Sequence, residues 1–175
     1  ALKSCEVSNT IITVGDPERV AKVSEKFDRI ELKKEKREFV THTGFLGGKR
    51  LTVISTGIGT DNVDIVLNEL HALKTIAGDD RTGYKLIRLG TSGAVRPDQD
   101  IDTVLISSAA IGLDGLMHFY EWDDQEEALS EMIEKMPVWK KLPKPYAASG
   151  APALLDKFRD IADTIGVTVT APGFY

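Results

Sequence analysis

Three short segments hold the residues best suited to chemistry: Gly15-Asp16-Pro17-Glu18-Arg19, Ser55-Thr56-Gly57-Ile58-Gly59 and Arg88-Leu89-Gly90-Thr91-Ser92-Gly93. In the first, Gly15 lets backbone approach a ligand closely. Asp16 followed by Pro17 announces a helix, whose unpaired N-terminal N–H groups attract anions. Arg19, about one turn into that helix, could add a charged fork to the cradle, or could sit on a solvated face. The third segment says more. Arg88 falls near the end of an apolar strand, where a guanidinium without an anionic partner is costly. The Gly90-Thr91-Ser92-Gly93 turn supplies backbone N–H groups and two hydroxyls, so Arg and turn together suit phosphate oxygens. A structural partner such as Glu35 or Glu38 is the alternative for Arg88. The second segment offers either another phosphate loop or a wall of the same pocket.

Other chemistries find little support. The glycines lack the spacing of a dinucleotide fingerprint, and no Gly-Lys-Ser/Thr motif occurs. No Gly-x-Ser-x-Gly elbow supports a serine hydrolase. His42, His71 and His118 have no metal-ligand spacing, and the single Cys5 excludes both an internal disulfide and a cysteine-based zinc site. No metal and no organic cofactor are expected.

The elements that must position these segments alternate along the chain. Thr10–Val14 is a short β-branched run closed by Gly15, with a helix carrying Val20, Val23 and Phe27 behind it. Residues 29–53 predict a β meander turning at Gly47-Gly48, with Leu51–Ser55 as its buried last strand. A helix from about Asp61 places Val63, Val66, Leu67, Leu70 and Leu73 on one face. Residues 78–83 form a polar loop before the strand Lys85–Leu89. Thr103–Ser107 reads as a strand, Leu129 to Met136 as a helix, and residues 137–145 as a loop. Pro152 opens a last helix with Leu155, Phe158, Ala162 and Ile165 inward and Gly166 as its stop, and Val167–Thr170 is the final strand. This order predicts an α/β fold with a mixed, largely parallel central sheet flanked by helices, incomplete at the C-terminus. Ligands of such sheets sit beyond the carboxyl ends of the strands, where the three segments lie.

The chain has 175 residues, with 22 Lys+Arg against 27 Asp+Glu and a formal net charge of −5. That length fits a single domain over 1–175. The acidic balance speaks against nucleic acid as a partner, and no apolar stretch is long enough to span a membrane. With one cysteine and no export signal, a cytoplasmic, soluble protein is expected.

Together the segments resemble the nucleoside phosphorylase family, in its uridine phosphorylase-like branch. The matching text is Val14 to Val20, Arg37-Glu38-Phe39, Ser55 to Gly59, Arg88 to Ala94, and Ala171-Pro172-Gly173-Phe174-Tyr175. The resemblance implies a pentosyltransferase of nucleoside salvage that needs no cofactor: nucleoside plus phosphate gives free base and ribose 1-phosphate. Carried over by position, it places Gly15, Arg19, Arg88, Leu89, Gly90 and Thr91 on phosphate, with Arg88 and Arg19 as the catalytic pair. Arg37 resembles the arginine that reaches the phosphate of a neighbouring subunit, which implies a homo-oligomer, either a dimer or a hexamer built from dimers. Thr91, Ser92 and Gly93 would line the ribose and base pocket, and Phe174 would pack on the base. Arg88 with Thr91 favours the uridine branch over the purine branch. Glu38, Ile58 and Asn62 fall where some relatives bind a monovalent cation, but Asn62 replaces a serine and that site is left unassigned.

The family's N-terminal histidine, its Gln-x-Arg after the base loop and its Met-Glu-Met-Glu stretch have no counterpart here. The chain is therefore expected to be truncated at both ends and to bind phosphate without turnover. Two rivals remain. A nucleosidase of the same fold would use water, and would have no need of three arginines. A non-catalytic nucleoside- or phosphate-binding protein would lack the ribose carboxylate.

Overall fold

The computed structural model describes residues 2–78, 83–122, 126–137 and 143–173. They form two compact units, residues 1–93 and 94–175. None of the described helices is long and apolar enough to cross a membrane.

The first unit is built on a five-stranded mixed sheet. Its elements are β1 (Thr10–Val14), α1 (Pro17–Ser24), β2 (Arg29–Lys36), β3 (Phe39–Leu46), β4 (Lys49–Ser55), α2 (Thr60–Ile76) and β5 (Lys85–Leu89). The strand order is β2-β3-β4-β1-β5. β1 pairs in parallel with β4 and β5, and the meander supplies the antiparallel pairs β2–β3 and β3–β4. Gly47 and Gly48 have φ of +55° and +75°, the double positive φ that a two-residue hairpin turn of matching twist demands.

Alternation along the strands divides two apolar clusters between the faces of the sheet. Val14, Val20 and Val53 pack with Ile12, Val23 and Phe27. Val7, Ile11, Ile54, Val66 and Leu70 pack with Phe39, Leu73 and Tyr84. In α2 the buried apolar residues are Val66 and Leu70, whereas Leu67 is exposed on one flank and Ile65 and Ile76 on the other. At 100° per residue, Leu67 falls at the margin of the inward stripe, so the expected five-residue face is narrower than its apolar spelling. An open groove of ≈ 750 Å³ runs along this unit, lined among others by Leu2, Arg37, Phe39, Ile65, Leu73 and Ile76.

One buried polar pair ties α1 to β3. The Ser24 hydroxyl lies 2.7 Å from Nδ1 of His42, and both side chains are buried. Burial, and then the charge of Lys33 across the β2–β3 ladder, hold the His42 imidazole below its ordinary pKa. The unfolded chain therefore binds this proton more readily than the folded one. The stabilisation is fully present above the unfolded value of about 6.5 and is lost as pH falls through the folded value. Thermal melts between pH 8 and 5 should show the melting temperature dropping below about pH 6.5. His42→Asn, which keeps a polar atom near Nδ1, should flatten that drop. An unchanged slope in the variant would remove His42 as its cause.

The second unit has a three-stranded sheet, order β7-β6-β8, from β6 (Leu105–Gly112), β7 (Tyr146–Ser149) and β8 (Thr164–Thr170). β6 is antiparallel to β7 and parallel to β8. Helices α3 (Glu127–Glu134) and α4 (Pro152–Phe158) accompany it, and Ile111, Ile133 and Ala147 form its buried core with Leu113 and Leu129. The Tyr146 hydroxyl donates to both carboxylate oxygens of Asp114, at 2.9 and 3.0 Å. Burial, then this carboxylate, push the phenol well above its ordinary pKa.

Three expectations change here. The strand expected at 103–107 begins at Leu105 and continues to Gly112. The last helix ends at Phe158, and Ile165 and Gly166 belong to β8 instead of closing it. Parallel pairing of Thr164, Ile165 and Gly166 with Leu105, Ile106 and Ser107 satisfies their backbone in the sheet, which a helical apolar spacing alone does not reveal. β7 was not expected as a strand, because Tyr146-Ala147-Ala148-Ser149 carries no β-branched residue.

Candidate functional site

The carboxyl ends of β1, β4 and β5 lie side by side, with Val14 beside both Ser55 and Leu89. Directly after β1, Asp16 caps α1 by accepting a hydrogen bond from the Glu18 amide at 2.9 Å, with Pro17 at the first helical position. Pro17 has no N–H and the Arg19 amide donates to the Asp16 carbonyl at 3.1 Å, so it is the helix dipole that makes this end electropositive. Gly15 is buried immediately before it. A Cβ there would come 3.3 Å from the Ile58 side chain and 3.6 Å from Nη2 of Arg88, so the absent side chain leaves room between backbone and guanidinium.

Arg88 reaches this place from the penultimate residue of β5. Its Nη1 donates to the Thr56 hydroxyl at 3.1 Å. The expected structural alternative, an ion pair with Glu35 or Glu38, is not found: among the described residues no carboxylate pairs with Arg88. Arg88 as a whole residue is exposed, while its guanidinium is partly withdrawn from water. Loss of water, then the like charge of Arg19, lower its pKa from the ordinary value. Arg19 is half-buried on α1 and likewise has no carboxylate partner among the described residues. Two guanidinium groups that repel each other beside a helix N-terminus form a site that a multiply charged oxyanion would neutralise.

The fold resembles that of a Trypanosoma brucei nucleoside phosphorylase described as showing uridine phosphorylase activity. That likeness has a TM-score of 0.79 at 29% identity, and covers 99% of this chain and 65% of that one. A purine nucleoside phosphorylase from Toxoplasma gondii shares the fold with a TM-score of 0.73 at 24% identity, over 99% of this chain and 61% of its own. Uridine phosphorylase of Haemophilus influenzae is 30% identical over 164 residues, which is 94% of this chain and 56% of that protein. Uridine phosphorylase of Thermococcus kodakarensis is 37% identical over 120 residues, 69% of this chain and 40% of its own length. Residues 9–175 match the Phosphorylase superfamily. The chain belongs to that superfamily. It spans about half the length of the curated relatives it matches.

Within this superfamily member, Arg88 lies beside Gly15, and the charge of Arg19 acts on Arg88. Leu89 closes β5, and Gly90, Thr91, Ser92 and Gly93 continue from it as an exposed segment without regular structure. Among the described residues, the Thr91 and Ser92 side chains make no hydrogen bond, so they are available to a ligand. Phe174 lies outside the described residues.

Arg37 stands apart. It occupies the two-residue tip between β2 and β3, after the Lys36–Phe39 pair, with φ of +57°. A non-glycine residue held there costs about 1 kcal/mol or more. Antiparallel pairing puts this tip at the same end of the sheet as the carboxyl ends of β1, β4 and β5. Yet β4 and β1 intervene between β3 and β5, and three steps of ~4.8 Å give a lateral separation of roughly 14 Å. That exceeds the reach of one arginine side chain.

Ser55 and Thr56 are what the sequence reading undervalued. The buried Ser55 hydroxyl donates to the Glu38 carbonyl at 2.9 Å and accepts from the Val40 amide at 2.7 Å, clamping the Arg37 hairpin to β4. The signal available was a pair of hydroxyl residues at the end of an otherwise apolar strand.

Proposed function

We propose that this chain carries the phosphate-binding part of a nucleoside phosphorylase that cleaves a pyrimidine nucleoside to free base and ribose 1-phosphate in nucleoside salvage. The observation that carries the reading is the Arg19–Arg88 pair: no carboxylate partners either among the described residues, the charge of Arg19 acts on Arg88, and Arg88 lies beside Gly15 just before α1. Phosphate dianion would be held there, with Leu89, Gly90 and Thr91 completing the cradle and Thr91, Ser92 and Gly93 lining the nucleoside side. An oxocarbenium-like transition state needs a fixed anion below the sugar, so positioning and electrostatics would supply most of the rate. A nucleosidase has no use for these arginines. The pyrimidine branch is favoured because the Haemophilus influenzae and Thermococcus kodakarensis relatives are uridine phosphorylases.

The same reading makes the protein a cytoplasmic homo-oligomer. Arg37 stands three inter-strand steps from the strand of Arg88, and it lines a groove together with the exposed apolar residues Ile65 and Ile76 of α2. A second copy seated there would bring Arg37 to the neighbouring phosphate.

Inorganic phosphate tests the central claim. Its addition at constant ionic strength should raise the melting temperature of this chain, because a ligand at 100 times its Kd stabilises by about 2.7 kcal/mol. Arg19→Ala and Arg88→Ala should each abolish most of that rise. A wild-type chain indifferent to phosphate, or variants as responsive as wild type, would refute the anion site.

A further inference from the structure

Thr56 occupies an unusual junction. It is the first residue beyond β4, 1% exposed, and its amide donates to the Val14 carbonyl at 2.8 Å, which extends the β1–β4 ladder by one bond. Its hydroxyl lies 3.3 Å from that same carbonyl and 3.0 Å from the carbonyl of Gly57, and it accepts from Nη1 of Arg88. A hydroxyl has one proton and two lone pairs. Whichever carbonyl takes the proton, a lone pair remains directed at the guanidinium. The positive φ of Gly57, +68°, turns the chain so that its carbonyl can share in this arrangement.

Arg88 needs such an anchor. It is exposed, it has no carboxylate partner among the described residues, and the like charge of Arg19 acts on it. The bond to Thr56 is the hydrogen bond the structure gives its side chain among the described residues.

We propose that Thr56 is a positioning residue for the phosphate site, holding the Arg88 guanidinium against the repulsion of Arg19 so that both arginines meet the anion without rearrangement. The proposal rests on the anion-site reading above and adds to it a residue that itself need not touch the ligand. A preorganised charged donor binds more tightly than one that must first be ordered.

Calorimetric titration of this chain with inorganic phosphate separates the possibilities. Thr56→Val removes the acceptor and keeps the branched shape, and should weaken phosphate affinity roughly ten-fold. Thr56→Ser keeps the hydroxyl and should stay within about two-fold of wild type. In an Arg88→Ala background, adding Thr56→Val should change affinity no further, because there is nothing left to position. Melting temperatures without phosphate serve as the fold control. Should Thr56→Val lose its cooperative melt, Thr56→Cys, similar in size with a much poorer acceptor, takes its place under the same criteria.

The proposal is overturned if Thr56→Val binds phosphate like wild type while Arg88→Ala does not. It is overturned equally if the Thr56→Val loss persists in full without Arg88, since the effect would then be on the fold. If Arg88→Ala itself binds phosphate normally, the anion-site reading fails first, and that outcome is distinct from either of the others.

Discussion

Arg88→Ala is expected to cut phosphate-dependent nucleoside cleavage by about two to three powers of ten, the loss typical of removing one preorganised electrostatic stabiliser. The measurement belongs in a form of the protein that turns over nucleoside, with phosphate varied at saturating nucleoside. Both the apparent phosphate affinity and the maximal rate should suffer, because the guanidinium would hold the nucleophile in the ground state and fix its position in the transition state. The fold should survive the substitution. Among the described residues Arg88 has no carboxylate to leave orphaned, and the Thr56 hydroxyl keeps the carbonyls of Val14 and Gly57 as acceptors. Removing one of two mutually repelling charges also relieves Arg19. An unchanged or slightly raised melting temperature together with a collapsed rate is therefore the expected pair of results. A variant with full activity would place the anion elsewhere. One that loses rate and cooperative melting together would make Arg88 a structural residue.

The parts of this site that were legible in the sequence are those written within a few neighbouring residues. Gly15, the Asp16 cap, Pro17 and Arg19 are one local device, and the structure keeps it intact. Arg88 was legible because a charged residue within an apolar strand demands an explanation. What supports Arg88 was not, since Thr56 lies 32 residues away and reaches it only through the parallel register of β4, β1 and β5. No local pattern encodes a register that spans three strands. The end of α4 was misjudged for the same reason: Ile165 continues a helical apolar spacing, but its backbone is claimed by Ile106 of β6. The tip position of Arg37 also depends on pairing, as the Lys36–Phe39 pair is what leaves Arg37 and Glu38 as the two turn residues.

That tip position carries the second large effect. Arg37 and Arg88 project from the same end of one sheet with three inter-strand steps between their strands. If Arg37 serves the phosphate of a neighbouring subunit, a two-fold pair of subunits would hold two composite sites. The arrangement can be tested by mixing. In the same turnover-competent form of the protein, chains carrying Arg37→Ala should be nearly inactive alone, as should chains carrying Arg88→Ala. When the two are combined and allowed to exchange subunits, half the pairs formed at random contain one of each. In such a pair, one site receives both intact arginines and the other receives neither. Activity should therefore return to about a quarter of the wild-type value, far above either parent. A Ser55→Ala variant should imitate Arg37→Ala in the mixture, more mildly, because the Ser55 hydroxyl fixes the hairpin through the Glu38 carbonyl and the Val40 amide. If the mixture stays as inactive as its parents although exchange is demonstrated, Arg37 does not act across the boundary. The strained backbone at φ +57° would then need another cause.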